Sequence, residues 1–559
     1  MSGYILGITG WFERSHDASA CIVKDGKVLV MVEEERFIRK KHAYDKTPVR
    51  SISWCLNKLS LTLDDIETVA VGWDYKYLYR LAGLNEPRLN NLADVFFPKK
   101  YFSYSRKLKI EIVPHHLAHA ASSYFLSGLD EAAILVVDGQ GENESTTIAR
   151  GRSGKIDILR TFSIENSLGY FYEAVSDYIG LGLDSAGKTM GLASYGDIIY
   201  EFDEIKLSPN GYKVNLKFDK KDNSLDQQQR VLSAWKRVLI DTFGKQNQVD
   251  TKFNPLYGDF TKSVKISKLQ KDTAASAQDV LERTLMHLSE IAVNETGIKD
   301  LCMAGGVALN CSSNTKVARS EHINSLFIPP NTSDAGVSLG AALLISGKDN
   351  SGGSLESAYF GPLYTNSEIK SVLDKNNIAY EYHEDIEDVV AKLLANGKIV
   401  SWFQDSLEIG PRALGNRSIV ANPTLATIHK KVNEAKNREQ WRPLAPSILE
   451  ESIGKYLVNP MKSPFMLHTF DVKKEVRSKI SAIVHVDGST RPQTVSKKAN
   501  PRYHKMISKF GKLTGYDLVL NTSFNGSREP IVCSPYDALT SFISNSTDCL
   551  AIGNFLVSK

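Results

Sequence analysis

The strongest constraint on the fold comes from residues 113–142, where a histidine pair is followed by an apolar run. Pro114 favours the start of a helix, and His115 and His119 stand four residues apart. On a helix, residues at this spacing share one face, with Cβ atoms about 5–6 Å apart. Two imidazoles placed in this way suit a single metal ion, and a pair of ordinary helix histidines is the alternative interpretation.

The apolar run 132–137 ends in a carboxylate and glycines, Asp138, Gly139 and Gly141. The strands expected after this loop place Asp138 at a strand-end turn, where glycines let backbone N–H groups approach an anion. A zinc-protease motif needs glutamate directly after the first histidine. His116 occupies that position, so this class of metalloenzyme is disfavoured.

Length and composition narrow the class of protein. A chain of 559 residues exceeds one hydrophobic core, so two or more domains are expected. A net charge of +4 and the lack of a long Lys/Arg tract argue against a nucleic-acid partner. No apolar run reaches the roughly 18 residues of a membrane helix. Six dispersed cysteines without a Cys-x-x-Cys pair favour reduced thiols in a cytoplasmic protein.

The N-terminal segment predicts a meander of three strands, 4–8, 18–23 and 28–32. The loop between the first two carries His16 and Asp17, which either face a cleft or form a solvated loop. A meander with such a loop opens actin-like ATPase domains, an analogy of fold alone. The charged segment that follows, residues 33–42, predicts a solvated edge.

Further along the chain, small-residue loops follow predicted strands. Residues 185–193 predict a loop that is not a P-loop, because the full Gly-x4-Gly-Lys pattern is missing. Residues 301–310 predict a strand, paired glycines and a helix start, and helix N-termini bind phosphate. Asp334 lies on a capping turn before a helix. Residues 200–265 are polar and uneven, and we interpret them as an insertion.

Residues 347–356, rich in Gly and Ser, form the predicted linker between a domain over 1–346 and a second over 357–559. In the second domain four loops rich in Gly and Pro each carry an arginine. A single loop arginine is usually solvated, but four together favour a rigid anion site, because planar guanidinium groups match phosphate oxygens bidentately. The four are Arg412, Arg442, Arg491 and Arg528.

Together these motifs resemble the O-carbamoyltransferases of nodulation-factor and antibiotic biosynthesis. The resemblance covers nearly the whole chain, and the order and spacing of the motifs make it specific. It implies a mixed fold of α/β and α+β domains. The N-terminal domain would be an actin-like ATPase domain similar to the threonylcarbamoyl-transfer protein of tRNA modification, and the C-terminal domain would be YrdC-like. The motifs are 16–17, 33–37, 115–119, 138–142, 305–307, 331–334, 410–415, 441–443 and 521–525.

The resemblance also implies the chemistry. Carbamoyl phosphate and ATP, with Mg, would give carbamoyl-AMP and pyrophosphate, and the carbamoyl group would pass to a hydroxyl of a small-molecule natural product. The implied metal is Fe(II), with Zn or Mn as alternatives. The implied metal ligands are His115, His119, Asp138 and Asp334; the residues lining the nucleotide are Gly141, Gly305, Gly306 and Asn310; the carbamoyl-phosphate and ATP ligands are Arg412, Arg442, Arg491 and, more loosely, Arg528; the catalytic candidates are His16, Asp17 and Lys41.

Two other functions fit parts of the pattern. A tRNA-modifying enzyme of the threonylcarbamoyl type would require a basic stripe, which the modest net charge disfavours. A non-catalytic nucleotide-binding regulator would not need the full set of His, Asp and Arg positions. The sequence leaves the acceptor, the metal and the oligomeric state open.

Overall fold

The computed structural model describes residues 3–11, 15–81, 89–218, 227–245, 253–254, 259–260, 266–347, 353–526 and 528–559. Contacts divide these residues into two units. The first runs from the N-terminus to Leu355, apart from residues 39–41 and a segment between 251 and 264, which cluster with the second unit, Glu356–Lys559. The predicted linker lies partly outside the described residues, and the division between the units falls at its C-terminal end.

The first unit is a mixed α/β structure built on two five-stranded sheets. The strands of the first sheet are β1 (Tyr4–Thr9), β2 (Ser19–Lys24), β3 (Lys27–Glu33), β4 (Ile66–Val71) and β5 (Ile110–Ile112). Those of the second are β6 (Glu131–Val137), β7 (Glu144–Arg152), β8 (Lys155–Ser163), β13 (Asp300–Ala304) and β14 (Ser325–Phe327). A shorter pair in this unit is β9 (Ile205–Ser208) with β10 (Gly211–Val214), whereas β11 (Phe253–Asn254) and β12 (Asp259–Phe260) form a pair in the segment that clusters with the second unit.

The two large sheets have the same topology. Their strand orders are β3-β2-β1-β4-β5 and β8-β7-β6-β13-β14. In each, the first three strands in sequence form an antiparallel meander, and the last two pair in parallel beside the first strand. The predicted N-terminal meander is therefore confirmed, and it occurs twice in the unit.

Helices connect and separate these sheets. They are α1 (Glu34–Ile38), α2 (Val49–Lys58), α3 (Tyr75–Leu81), α4 (Leu89–Phe96), α5 (His115–Ser127), α6 (Leu168–Tyr178), α7 (Ala186–Ala193), α8 (Gln227–Phe243), α9 (Lys268–Thr296), α10 (Cys311–Ala318) and α11 (Val337–Ser346). Helix α5 packs against α11 and the second sheet, and α11 packs against the first sheet. The two helices cross closely at Gly340, where a Cβ would lie 1.8 Å from the carbonyl oxygen of Ala118.

Two local predictions are wrong. Residues 185–193, predicted as a loop, contain helix α7. The first part of the charged segment 33–42, predicted as a solvated edge, is buried: Glu33, Glu34 and Arg36 are only 2–3% exposed, whereas Lys40 and Lys41 are exposed. The Glu34 carboxylate accepts hydrogen bonds from the backbone N–H and the hydroxyl of Ser51, both at 2.7 Å, and thereby caps α2. These charges can be buried because helix N–H groups and a neighbouring arginine take the place of the water that would otherwise solvate them.

The second unit contains an eight-stranded sheet in the order β15-β24-β23-β16-β17-β22-β18-β21. Its strands are β15 (Glu381–Tyr382), β16 (Val400–Phe403), β17 (Arg417–Ala421), β18 (Ala445–Leu449), β21 (Gln493–Val495), β22 (Leu518–Ser523), β23 (Cys549–Ile552) and β24 (Phe555–Ser558), with a separate pair β19 (Phe470–Asp471) and β20 (Ser489–Thr490). Its helices are α12 (Asn366–Lys375), α13 (Ile386–Ala395), α14 (Ile428–Ala435), α15 (Ile453–Tyr456), α16 (Lys474–Arg477), α17 (Pro501–Thr514) and α18 (Pro535–Ser544).

A hydrophobic core fills each face of this sheet. One contains Phe403, Ile419 and Leu520, and the other contains Trp402, Tyr503 and Phe510. Among the described residues of both units, no helix is long and apolar enough to cross a membrane.

Candidate metal centre and active site

The first two turns of α5 present two histidines on one face. Pro114 is the N-cap of the helix, as predicted, and His115 and His119 are fully buried. The carboxylate of Glu142 accepts the backbone N–H of His115 at 3.0 Å and that of Asp74 at 2.9 Å, so a buried negative charge caps the helix N-terminus. The ring of Trp73 lies 3.9 Å from that of His115 and restricts its rotation.

The carboxylates of Asp138 and Asp334 lie beside these histidines. One follows a strand directly, and the other precedes a helix. Asp138 follows β6 directly, and its Oδ1 accepts the backbone N–H of Gly306 at 2.7 Å. Asp334 begins a short 3-10 turn before α11. Both are 6% exposed. The bond from Gly306 fixes one Asp138 oxygen and leaves the other, Oδ2, directed at the histidines.

The four side chains form a compact cluster. The two Nε2 atoms are 3.0 Å apart, and that of His115 lies 3.3 Å from Asp138 Oδ2 and 3.6 Å from Asp334 Oδ1. The corresponding distances from His119 are 3.6 and 3.7 Å. All four candidate donor atoms lie within 4.8 Å of one another. Ligands about 2.0–2.2 Å from one ion would have similar spacings, so the cluster fits a divalent metal.

The electrostatics of the cluster also favour a cation. Burial opposes protonation of His115, but Asp334 and Asp138 outweigh it and raise the pKa of His115 to about 10. Burial opposes ionisation of Asp138, but hydrogen bonds from the two histidines hold its pKa well below the ordinary value. The carboxylates therefore require positive charge beside them. A divalent ion bound by the imidazoles would replace the proton on His115, and metal uptake would release it.

Glycines surround this cluster where the nucleotide was predicted. Gly305 has φ 93°, and a Cβ there would lie 2.3 Å from the carbonyl oxygen of Val137. A Cβ on Gly141 would lie 2.6 Å from the His116 ring. The side chain of Asn310 caps α10 and exchanges hydrogen bonds with Gln278. The structure thus places Gly305 and Gly306 beside the carboxylates, whereas Asn310 belongs to a hydrogen-bond network inside the fold.

His16 lies at the open side of the cluster, with its side chain 49% exposed. Its Nδ1 is 3.5 Å from Asp17 Oδ2, and its Nε2 is 3.8 Å from Asp334 Oδ2. Desolvation opposes protonation of His16, but the charges of Asp334 and Asp17 raise its pKa well above the ordinary value. Desolvation also opposes ionisation of Asp17, but hydrogen bonds from His16 and His42 hold its pKa far below the ordinary value. Lys41 is exposed at the start of a short turn.

In the second unit, Arg442 and Arg491 belong to a cluster of cations. Burial lowers the pKa of Lys436 well below its ordinary value, and the charges of Arg438 and Arg442 lower it further. Burial and Arg442 lower the pKa of Arg438 to about 9. Burial lowers the pKa of Arg442, and Arg491 adds to this shift.

The cation cluster consists of Lys436, Arg438, Arg442 and Arg491. Little negative charge lies beside it to balance these cations. Glu439 lies 3.8 Å from the Arg442 guanidinium. Arg438 donates through Nε to Asn433 at 2.5 Å, while its Nη2 is buried without a hydrogen-bond partner among the described residues. The Lys436 ammonium donates to Asn525 Oδ1 at 2.8 Å and to Ser523 Oγ at 3.2 Å, both neutral acceptors. The arrangement favours an anion.

The remaining predicted arginines lie on two loops. Arg412 is partly buried and follows Glu408, whose carboxylate accepts the backbone N–H groups of Leu414, Asn416 and Arg417 at 2.6, 3.4 and 3.2 Å. Arg528 is exposed and has φ 61°.

Sequence reasoning missed four residues of these sites. Lys436 and Arg438 precede the predicted Trp-Arg-Pro loop, and three cations within residues 436–442 were the available signal. Glu142 was noticed only as part of a loop, and its capping role depends on the packing of α5. His42 was grouped with a solvated edge, although its side chain contacts Asp17 at 2.8 Å.

Comparison with known proteins identifies the family. The family profile described as "Carbamoyltransferase N-terminus" matches residues 4–343, and that described as "Carbamoyltransferase C-terminus" matches residues 391–559. The protein is a carbamoyltransferase. It belongs to this family over nearly its whole length, which confirms the family and the enzyme class expected from the motifs.

Relatives of this carbamoyltransferase include nodulation proteins and a cephem O-carbamoyltransferase. It is 35% identical to "Nodulation protein NolNO" of Sinorhizobium fredii (strain NBRC 101917 / NGR234), over 97% of this chain and 79% of the relative. It is 26% identical to "Nodulation protein U" of Rhizobium tropici, over 91% and 89%. It is 25% identical to "3'-hydroxymethylcephem-O-carbamoyltransferase" of Amycolatopsis lactamdurans, over 97% and 98%.

Proposed function

We propose that this carbamoyltransferase forms carbamoyl adenylate from carbamoyl phosphate and ATP in its second unit. We further propose that its first unit transfers the carbamoyl group to a hydroxyl of a small molecule. The observation that carries the proposal is the cation cluster Lys436, Arg438, Arg442 and Arg491, in which Lys436 is buried and neighbouring positive charges lower the pKa values of Lys436, Arg438 and Arg442. Such a cluster is costly to form unless an anion binds it.

The chemistry requires several phosphates in one pocket. Carbamoyl phosphate loses phosphate to water and leaves carbamate, whose oxygen then attacks the α-phosphorus of ATP. The bond from that phosphorus to the diphosphate breaks, and pyrophosphate leaves with Mg. Guanidinium groups held before the substrates arrive would stabilise charge on the phosphoryl oxygens, which is a large contribution in many enzymes. Arg412 and Arg528 are the further proposed ligands on neighbouring loops.

The first unit is proposed to have the actin-like ATPase fold, which its repeated sheet topology supports, and the second to be YrdC-like. A metal held by His115, His119, Asp138 and Asp334, with Fe(II) first and Zn or Mn as alternatives, would supply a Lewis acid and a template for a phosphate oxygen. The chain's own contribution is to direct these donors to one point and to line the adenylate with Gly305 and Gly306.

The transfer step uses His16, which lies beside the metal centre. The acceptor oxygen bonds to the carbamoyl carbon, the bond from that carbon to the phosphate oxygen breaks, and AMP leaves with the electron pair. A cation bound by the carboxylates would offset the charges that raise the pKa of His16, so that its Nε2 is unprotonated in the metal-loaded protein. That Nε2 is proposed to take the hydroxyl proton, and Asp17 to stabilise the resulting imidazolium through Nδ1. Lys41 is proposed to contact the carbamoyl group.

The test uses the purified protein with ATP, Mg and carbamoyl phosphate, and a set of hydroxylated small molecules. We expect pyrophosphate release and a product heavier than the acceptor by one carbamoyl group. Arg442→Ala should abolish adenylate formation yet still transfer carbamoyl from synthetic carbamoyl adenylate. Lys498→Ala, which removes an exposed cation of the same unit, is the matched control. Failure of Arg442→Ala with supplied adenylate would mean that Arg442 also acts in transfer.

A further inference from the structure

The side chain of His42 forms one end of a line of polar side chains that leads to the metal centre. Its Nδ1 lies 2.8 Å from Asp17 Oδ1, and Asp17 Oδ2 lies 3.5 Å from His16 Nδ1. At the inner end, His16 Nε2 lies 3.8 Å from Asp334 Oδ2. A carboxylate only accepts hydrogen bonds, so the Nδ1 of His42 carries the proton that it donates to Asp17.

Backbone hydrogen bonds hold the two segments that carry these side chains in fixed positions relative to each other. The N–H of Asp17 donates to the carbonyl of His42 at 2.6 Å, and that of Asp45 donates to the carbonyl of Ser15 at 2.9 Å. The backbone N–H of His42 donates to Glu35 Oε2 at 2.6 Å. The loop after β1 and the turn after α1 are therefore fixed to each other on both sides of the His42–Asp17 contact.

The accessibility of the three side chains changes along this line. Asp17 is 15% exposed and His42 is 28% exposed, whereas His16 is 49% exposed. His16 thus faces solvent on the side from which an acceptor would approach, and the other two lie behind it. A half-exposed imidazole keeps one orientation only if something holds it, and Asp17 is the charged group that contacts its Nδ1.

We propose that His42 is a positioning residue for carbamoyl transfer. By holding Asp17 Oδ1, it directs Asp17 Oδ2 at the Nδ1 of His16 and so keeps the Nε2 of His16 directed at the acceptor hydroxyl. This inference rests on the proposed function, in which His16 takes the hydroxyl proton. Misplacing such a group lowers the rate of the chemical step more than the binding of the substrate.

The left-handed backbone of His42, with φ 62°, decides which variants are informative. Glycine and asparagine both tolerate this conformation. His42→Gly removes the imidazole, and His42→Asn retains a nitrogen donor near the position of Nδ1. Both keep the backbone N–H that Glu35 accepts. Comparison of the two variants therefore distinguishes the effect of losing the hydrogen bond to Asp17 from the effect of disturbing the folded turn.

The assay is AMP release from synthetic carbamoyl adenylate, with water as the acceptor, by the full-length metal-loaded protein. Partners that orient a metal-ligating histidine are typically worth about 10–100-fold, and we expect kcat of His42→Gly to fall by a comparable factor. KM for the adenylate should stay within about twofold and kcat of His42→Asn within about threefold of wild type, because only orientation is lost. A wild-type kcat in His42→Gly, or an equal loss in both variants, would overturn the proposal.

Two further measurements separate this proposal from its alternatives. Asp17, Glu35 and His42 could together hold a second metal ion, since their donor atoms lie within 4.8 Å of one another. Loss of one metal equivalent in His42→Gly would favour that site and reject a purely orienting role. If the wild-type protein releases no AMP, the proposed function fails, and crystal structures then decide the inference alone. Asp17 and His16 should be displaced in His42→Gly and unmoved in His42→Asn.

Discussion

Replacing Gly305 by alanine is a direct test of how the metal centre is built. Gly305 has φ 93° and ψ 163°, a region that is essentially restricted to glycine and costs other residues about 1–3 kcal/mol. A Cβ there would also lie 2.3 Å from the carbonyl oxygen of Val137. Overpacking of this kind adds about 1–3 kcal/mol. The two contributions together predict a loss of about 2–6 kcal/mol in the free energy of unfolding.

The expected consequence extends to function, because Val137 immediately precedes Asp138. Relief of the contact must move either the end of β6 or the Gly305 turn, and both hold Asp138 in place. Domains of 150–250 residues lose about 2–4 °C in melting temperature per kcal/mol. Because the first unit is larger, the lower value of about 2 °C per kcal/mol applies, and we expect its melting temperature to fall by about 4–12 °C. Metal affinity should fall as well.

Gly297 supplies the matched control for this substitution. It ends α9 with φ 71°, and no atom of the residues that the structure describes lies within 4 Å of a Cβ built there. Gly297→Ala should therefore cost only the backbone preference, about 1 kcal/mol. The assays are differential scanning calorimetry and metal content after dialysis against a chelator. If Gly305→Ala melts within about 2 °C of Gly297→Ala, which is about the effect of 1 kcal/mol, and retains its metal, the steric argument is refuted.

Three further predictions concern single side chains. His119→Ala should lose the bound metal by elemental analysis and keep its circular dichroism spectrum, with His287→Ala as control; unchanged metal content would remove His119 from the ligand set. Glu34→Ala should lower the free energy of unfolding by about 1–3 kcal/mol, because the buried N–H that it caps is left unsatisfied; a denaturant midpoint equal to wild type would contradict this. Glu408→Gln should slow adenylate formation, measured as pyrophosphate release, because it loosens the loop that carries Arg412; an unchanged rate would show that the loop holds its shape alone.

The sequence predicted those parts of the fold and site that depend on local pattern. Pro114 and the spacing of His115 and His119 are sufficient to predict the helix and its shared face. Asp138 was predictable because an apolar strand ends there. Asp334 came into the site through the family resemblance, since nothing local shows that its turn lies opposite α5.

Other features depend on tertiary packing that no local pattern reveals. The buried charges of Glu33, Glu34 and Arg36 appear solvated in sequence, because their partners are one another and the N-terminus of α2. No internal repeat is visible in the sequence, yet two sheets share one topology, since a topology constrains strand order and burial rather than residue identity. Lys436 was overlooked because its burial and its neutral partners, Ser523 and Asn525, become evident only in three dimensions.

The most direct test of the proposed reaction is the nucleotide product formed when the metal-loaded protein turns over ATP with carbamoyl phosphate and an acceptor. Phosphorus NMR resolves AMP and pyrophosphate from ADP and phosphate. The proposed reaction predicts one AMP and one pyrophosphate per carbamoylated acceptor, together with one phosphate from carbamoyl phosphate. Formation of ADP, or carbamoylation without ATP consumption, would contradict an adenylate intermediate.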